Sequence, residues 1–296
     1  MVHVSKIIRT RHPAWRWLRL AGVLVLAAWL LPGCVNRMFY YPDTHVYRTA
    51  KDFPYPVREI FFDSLDGTEL HGWLLISPAT NPLGTVVHFH GNAQNISAHA
   101  DFVDWLPREG YHVFIFDYRG FGKSKGRPTR EGVYMDGVAA MMQAMRLPGI
   151  ESNRLFVIGQ SLGGAVALSV AGSHPEFDIK AMVIDSSFYS YRGIVKDKLK
   201  DMPLLSLAAR PLSKWLTSDT HSPHLNIAQI QAPVMFIHGT RDYVIPHHHS
   251  EMLYESAREP KELLLIDGAA HISALHSHRF DTAPRIIRFF TEQIQP

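Results

Sequence analysis

The chain has 296 residues, enough for one large α/β domain or two small ones, and its 46% apolar and 19% charged content excludes intrinsic disorder. Its 19 Pro and 20 Gly follow no repeat, which excludes collagen-like and low-complexity readings, and a single Cys excludes an intrachain disulfide or a Cys-built zinc site. The formal charge of +3 arises from five basic residues within positions 1–34, leaving 25 basic against 27 acidic residues in the body, a balance that does not suit a nucleic-acid binder.

Those five are Lys6, Arg9, Arg11, Arg16 and Arg19, and no Asp or Glu accompanies them. They precede the uncharged run Leu20–Leu31. Twelve residues fall short of the roughly 20 that span a bilayer as a helix, but they match the apolar region of a secretory signal. Leu31-Pro32-Gly33-Cys34 follows and resembles the lipobox of bacterial lipoproteins, with Pro32 standing where that pattern carries a small or aliphatic residue. The resemblance implies lipid attachment at Cys34. An uncleaved anchor, with Trp15, Trp17 and Trp29 at the interface, is the alternative. Either one places residues 35–296 at a membrane, in the cell envelope.

From there strands and helices alternate. Arg58–Phe62 and Glu69–Ile76 are β-rich runs joined by a turn at Asp66-Gly67. Thr85–His90 is a short apolar run of the buried parallel type, followed by a helix over 96–108 and a strand at Tyr111–Asp117. A helix over 130–146 carries Met135, Val138, Met141, Met142 and Met145 at helical spacing, a core-filling stripe. Arg154–Ile158, Ala181–Asp185, Pro233–His238 and Glu262–Asp267 are further strands; Ala165–Ser173 and 279–294 are helices. The pattern predicts a mostly parallel sheet of about eight strands with helices on both faces and an antiparallel edge. Residues 186–232 break the rhythm and read as a helix plus a small lid-like insertion over the carboxyl edge.

Gly159-Gln-Ser-Leu-Gly163 lies between a strand and a helix, the setting in which G-x-S-x-G lifts a serine hydroxyl above the sheet. A serine needs an adjacent base, and His271, just past the last strand, is placed to supply it. His276 and His278 lie further into the next loop, and His247, His248 and His249 read as a polar surface turn after Pro246. The base needs an orienting carboxylate; Asp242 follows the Pro233–His238 strand, with Asp267 and Asp185 as alternatives. Two backbone N–H groups would hold an oxyanion: Leu162 after the serine, and Asn92 (or Ala93) in the loop His88–Ala93. His90 reads as a brace for that loop.

With His90–Ala93, Asp117–Gly122, the serine elbow, Asp242 and His271 in place, residues 38–294 resemble the α/β-hydrolases, specifically small membrane-associated serine hydrolases with a His-Gly-Asn-Ala loop. The resemblance implies acyl transfer to water from a small-molecule or lipid-like acyl substrate, with no metal or organic cofactor. It assigns Ser161 as nucleophile, His271 as base and Asp242 as acid, and leaves Arg119 a structural role. A thioesterase, deacylase or peptidase on the same scaffold stays open, as does a non-catalytic envelope lipoprotein.

Overall fold

The computed structural model describes residues 33, 35, 37–147, 154–276 and 280–294. The apolar run Leu20–Leu31 and Cys34 lie outside the described residues. Eight strands form one sheet: β1 (Val57–Asp63), β2 (Glu69–Leu75), β3 (Gly84–Phe89), β4 (Tyr111–Asp117), β5 (Leu155–Gln160), β6 (Ile179–Asp185), β7 (Val234–Gly239) and β8 (Lys261–Ile266). Their spatial order is β8-β7-β6-β5-β3-β4-β2-β1. Only β2 runs antiparallel to its neighbours, β1 and β4; every other pairing is parallel. The parallel centre is buried on both faces, which is why β3, β5 and β7 read as unbroken apolar runs.

Alternate strand residues serve opposite cores. On one face Val87, Phe89, Phe114 and Phe116 pack with Val138, Met141 and Val166 from α1 (Arg130–Ala144) and α2 (Leu162–Ser173). On the other, Val113, Ile115, Phe156 and Ile158 meet Ile286, Phe289 and Phe290 of the closing helix, Thr282–Glu292.

Two expectations are corrected. The helix expected over 96–108 is three short pieces: a turn at Ile96–His99 and 3-10 turns at Ala100–Phe102 and Leu106–Glu109. Pro107 has no N–H to continue the ladder, Tyr55 Oη–H donates to the Asp104 carbonyl, and Arg48 holds the Asp101 and Asp104 carboxylates. The turn expected at His247–His249 instead opens a helix, His248–Ser256, in which His249 is buried.

The interval 186–232 contributes two helices, α3 (Tyr191–Lys200) and α4 (Ala209–Leu216), with 3-10 turns around them. Leu199, Ala209 and Leu216 form their shared core, and Val35 packs onto it. This cap reaches the carboxyl end of β7, where Lys198 Nζ donates to the Tyr243 carbonyl at 2.9 Å. The segment after Val35 crosses the same rim. Tyr41–Pro42 pairs in parallel with Ala93–Gln94, and the Tyr41 N–H donates to the Asn92 carbonyl at 2.7 Å. Among the described residues no helix is long and apolar enough to cross a membrane.

Candidate active site

Ser161 occupies the corner between β5 and α2, at φ 53° and ψ −119°. A non-glycine residue there carries a strain of about 1–3 kcal/mol, so the surroundings must impose it. They do so from the neighbouring strand: the Ser161 N–H donates to the Asp185 carbonyl at 2.8 Å, and Ser187 Oγ–H donates to the Ser161 carbonyl at 2.9 Å. The flanking glycine is a steric requirement, since a Cβ on Gly163 would lie 2.1 Å from the Phe89 carbonyl oxygen. Helix α2 begins at Leu162, earlier than the apolar pattern alone predicts. The first N–H groups of that helix have no intrahelical acceptor.

His271 Nε2 lies 3.0 Å from Ser161 Oγ, and His271 Nδ1 lies 2.6 Å from Asp242 Oδ2. A carboxylate oxygen only accepts, so Nδ1 carries the proton and Nε2 accepts from the serine hydroxyl. Asp242 is fixed at its other oxygen, where Oδ1 accepts the N–H groups of Val244 and Ile245, both at 2.8 Å. Burial pushes the Asp242 carboxyl up, but hydrogen bonds from His238, His271 and the Ile245 amide outweigh it and hold the group well below the usual carboxylate range. The ionised form is therefore the one the site is built around.

The other carboxylates are engaged elsewhere. Asp267 Oδ1 accepts from Thr240 Oγ1 at 3.0 Å. Asp185 accepts from Ser186 Oγ at 2.8 Å and from Gln160 Nε2 at 3.3 Å, and its burial pushes its carboxyl up. Ser186 Oγ also accepts the Ile272 N–H at 3.2 Å and so ties the loop that carries His271 to Asp185. The side chains of His276 and His278 fall outside the described residues.

The His90–Asn92 loop passes beside the serine; a Cβ placed on Gly91 would stand 3.9 Å from Ser161 Cβ. His90 braces it, with Nδ1–H donating to the Gly91 carbonyl at 2.7 Å. The strap at Tyr41 holds the Asn92 carbonyl from the other side. Of the residues expected to offer amides, Leu162 directly follows Ser161 at the start of α2, and Asn92 directly follows Gly91 in the loop. Ala93 sits in register with Tyr41, and hydrogen bonds of that pairing fall on the Asn92 and Gln94 carbonyls, so Ala93 stays open as the alternative amide.

His238 went unrecognised in the sequence. It is fully buried at the end of β7, with Nε2 placed 3.1 Å from Asp242 Oδ2 and 2.9 Å from the Ile245 carbonyl. Both are acceptors, so Nε2 is protonated and Nδ1 accepts from Ser250 Oγ at 2.7 Å. A histidine four residues before Asp242, near the end of an otherwise apolar strand, was the available signal.

Among the described residues one trio of metal-type ligands converges, Asp197, His248 and His249. It is a poor cation site. The Tyr189 N–H donates to His249 Nδ1 at 3.1 Å, which leaves the ring proton on Nε2, the atom that would have to bind.

Comparison with known proteins identifies the fold and the family. A hydrolase family model described as "serine aminopeptidase, S33" matches residues 80–225. YfhR of Escherichia coli K12 is 37% identical over 279 residues, covering 93% of each chain. Rv2307c of Mycobacterium tuberculosis is 30% identical over 237 residues, covering 80% of each. Among solved structures, an esterase of Pyrococcus furiosus superposes with a TM-score of 0.70 at 23% identity, over 86% of this chain and 100% of that one. Acetyl xylan esterase 1 of Thermoanaerobacterium gives 0.66 at 15% identity, over 91% and 94%. Sheet order, serine corner and sequence relatives lead to one assignment: the chain belongs to the α/β-hydrolase superfamily.

Proposed function

We propose that the protein is a serine hydrolase that cleaves a carboxylic ester or related acyl bond through an acyl-enzyme. The observation that carries this reading is the relay from Ser161 Oγ to His271 Nε2 at 3.0 Å and from His271 Nδ1 to Asp242 at 2.6 Å. Ser161 attacks the acyl carbonyl while His271 takes its proton, and Asp242 stabilises the imidazolium that forms. The amides of Leu162 and Asn92 hold the developing oxyanion. His271 then protonates the leaving group, and afterwards draws a proton from the water that releases the acid and restores Ser161. The substrate is a small-molecule or lipid-like acyl compound. The segment 1–34 holds the enzyme at a membrane, in keeping with the apolar run Leu20–Leu31.

Turnover of p-nitrophenyl esters of graded acyl length tests this. Ser161→Ala and His271→Ala each lower kcat by at least about 10³-fold while the melting temperature holds. Wild-type protein reacts with a fluorophosphonate at Ser161, and the alanine variant does not. Unchanged turnover in either variant overturns the assignment. A folded wild-type chain inert to the probe points to the non-catalytic lipoprotein instead.

A further inference from the structure

We propose that the outer face of the cap is a docking surface for an anionic lipid bilayer. The cap carries an apolar surface that none of the described residues covers: Leu204 and Leu207 are 97% and 101% exposed, and Met202 and Trp215 are exposed as well. Isolated exposed apolar side chains are ordinary, but four within fourteen residues, two of them wholly in solvent, form a patch.

Charge names the partner. Residues 191–216 hold Arg192, Lys196, Lys198, Lys200, Arg210 and Lys214 against Asp197 and Asp201, in a body that is otherwise slightly acidic. Helix α4 buries Ala209, Ser213 and Leu216 and presents Arg210 and Lys214 one turn apart beside Pro211 and Trp215. Cations next to an indole on a short helix, with fully exposed leucines in the turns just before it, are the pattern of a segment that lies in the headgroup layer. A cavity of about 260 Å³ opens next to it, lined by Arg192, Lys196, Arg210 and Lys214 with Asp197 and Asp219. Its excess of cations suits a phosphate-bearing headgroup.

Chain connectivity sets the orientation. Val35 packs on the cap core, and the apolar run Leu20–Leu31 is joined to it by three residues. A segment with affinity for a bilayer therefore enters the fold against the cap. The exposed Tyr243–Val244 corner beside Asp242 is tied to the same cap through Lys198. On the acyl-transfer reading above, the catalytic rim is then supplied from the bilayer; the docking itself does not depend on that chemistry.

The test uses the full chain, because segment 1–34 would bind vesicles whatever the cap does, and so needs a local readout. Leu207→Cys in a Cys34→Ser background is labelled with an environment-sensitive nitrobenzoxadiazole probe; Glu176→Cys, in the exposed turn before β6, is the control. With vesicles of phosphatidylcholine and phosphatidylglycerol, the probe at 207 shifts to the blue and is quenched by acyl-chain doxyl lipid, while that at 176 is not. Arg210→Glu with Lys214→Glu weakens this response at least about tenfold, yet leaves hydrolysis of a water-soluble ester unchanged. A probe at 207 that stays water-like on anionic vesicles overturns the proposal, as does an equal response from the charge-reversed variant. A shift that grows with protein concentration in the absence of vesicles assigns the face to a second copy, and also overturns it.

Discussion

Asp136→Ala offers a measurable consequence of one buried network. Asp136 lies on α1 with no exposed surface, and Arg119 from the loop after β4 closes around it. Arg119 Nη2 donates to Oδ1 at 2.8 Å, Nε to Oδ2 at 3.0 Å, and the Arg119 backbone N–H to Oδ2 at 2.9 Å. Ser64 Oγ–H adds a fourth bond to Oδ1, at 2.7 Å. The guanidinium reaches out to Asp66, a half-exposed carboxylate at 2.7 Å. Removing Asp136 leaves a largely buried cation, a backbone N–H and a hydroxyl without their acceptor, a loss of about 3–5 kcal/mol. Removing Asp66 takes away an exposed carboxylate and leaves Arg119 still neutralised by Asp136, so the loss is nearer that of a surface pair, about 0–1 kcal/mol. Unfolding 296 residues carries an entropy of roughly 0.6 kcal/mol/K, so Asp136→Ala lowers Tm by about 5–8 °C and Asp66→Ala by less than about 2 °C. Scanning calorimetry with urea titration measures both. Below Tm the Asp136→Ala variant keeps its kcat, since Arg119 touches no reacting group. Equal Tm losses for the two variants would refute the reasoning, because the difference in burial would then have no energetic weight.

Two further predictions follow from histidines. His238→Phe keeps the buried ring but removes the donor to Asp242; kcat falls by about 10–100-fold with KM within about twofold, and His238→Gln, which can still donate, recovers part of it. Losses in kcat and KM that merely track Tm in both variants would assign His238 a packing role only. Stability itself is acid-sensitive: burial lowers His88 to about 3 and His249 to about 4, whereas the unfolded chain takes up those protons near 6.5. Between about pH 6.5 and 4 the unfolded state thus binds more protons than the native one. Stability falls as pH drops, by up to about 1.4 kcal/mol per pH unit for each histidine, and is insensitive to them above that window. Urea midpoints at pH 7, 6, 5 and 4 check this, and His249→Gln should flatten the slope. A midpoint unchanged down to pH 4 contradicts it.

Most of the sheet was legible because each buried strand is a short apolar run closed by a residue with another task. Tyr111–Asp117 was read to the residue, bounded by Gly110 at positive φ and ended by Asp117, which accepts the Ile96 N–H. The meeting of Ser161, Asp242 and His271 was legible for the same reason: each follows a strand at its carboxyl end, and such ends share one rim. What escaped depends on neighbours distant along the chain. His238 looked like the last residue of a strand, and only the turn through Ile245 to Ser250 surrounds it with partners. The Tyr41–Pro42 pairing is two residues long, too short for any period to reveal. The break in 96–108 was signalled by Pro107, but Arg48 and Tyr55, which draw the carboxylates and a carbonyl aside, could not be placed there from composition.

The clamp on the Ser161 peptide separates the shape of the corner from the atom displayed on it. Because Asp185 and Ser187 grip the backbone on either side, the side chain takes no part in holding the turn. Residue 161 is accordingly an interchangeable fitting: Ser161→Cys would present a thiol to the same imidazole from the same perch, and the scaffold could be refitted for thiolate chemistry without redrawing its backbone.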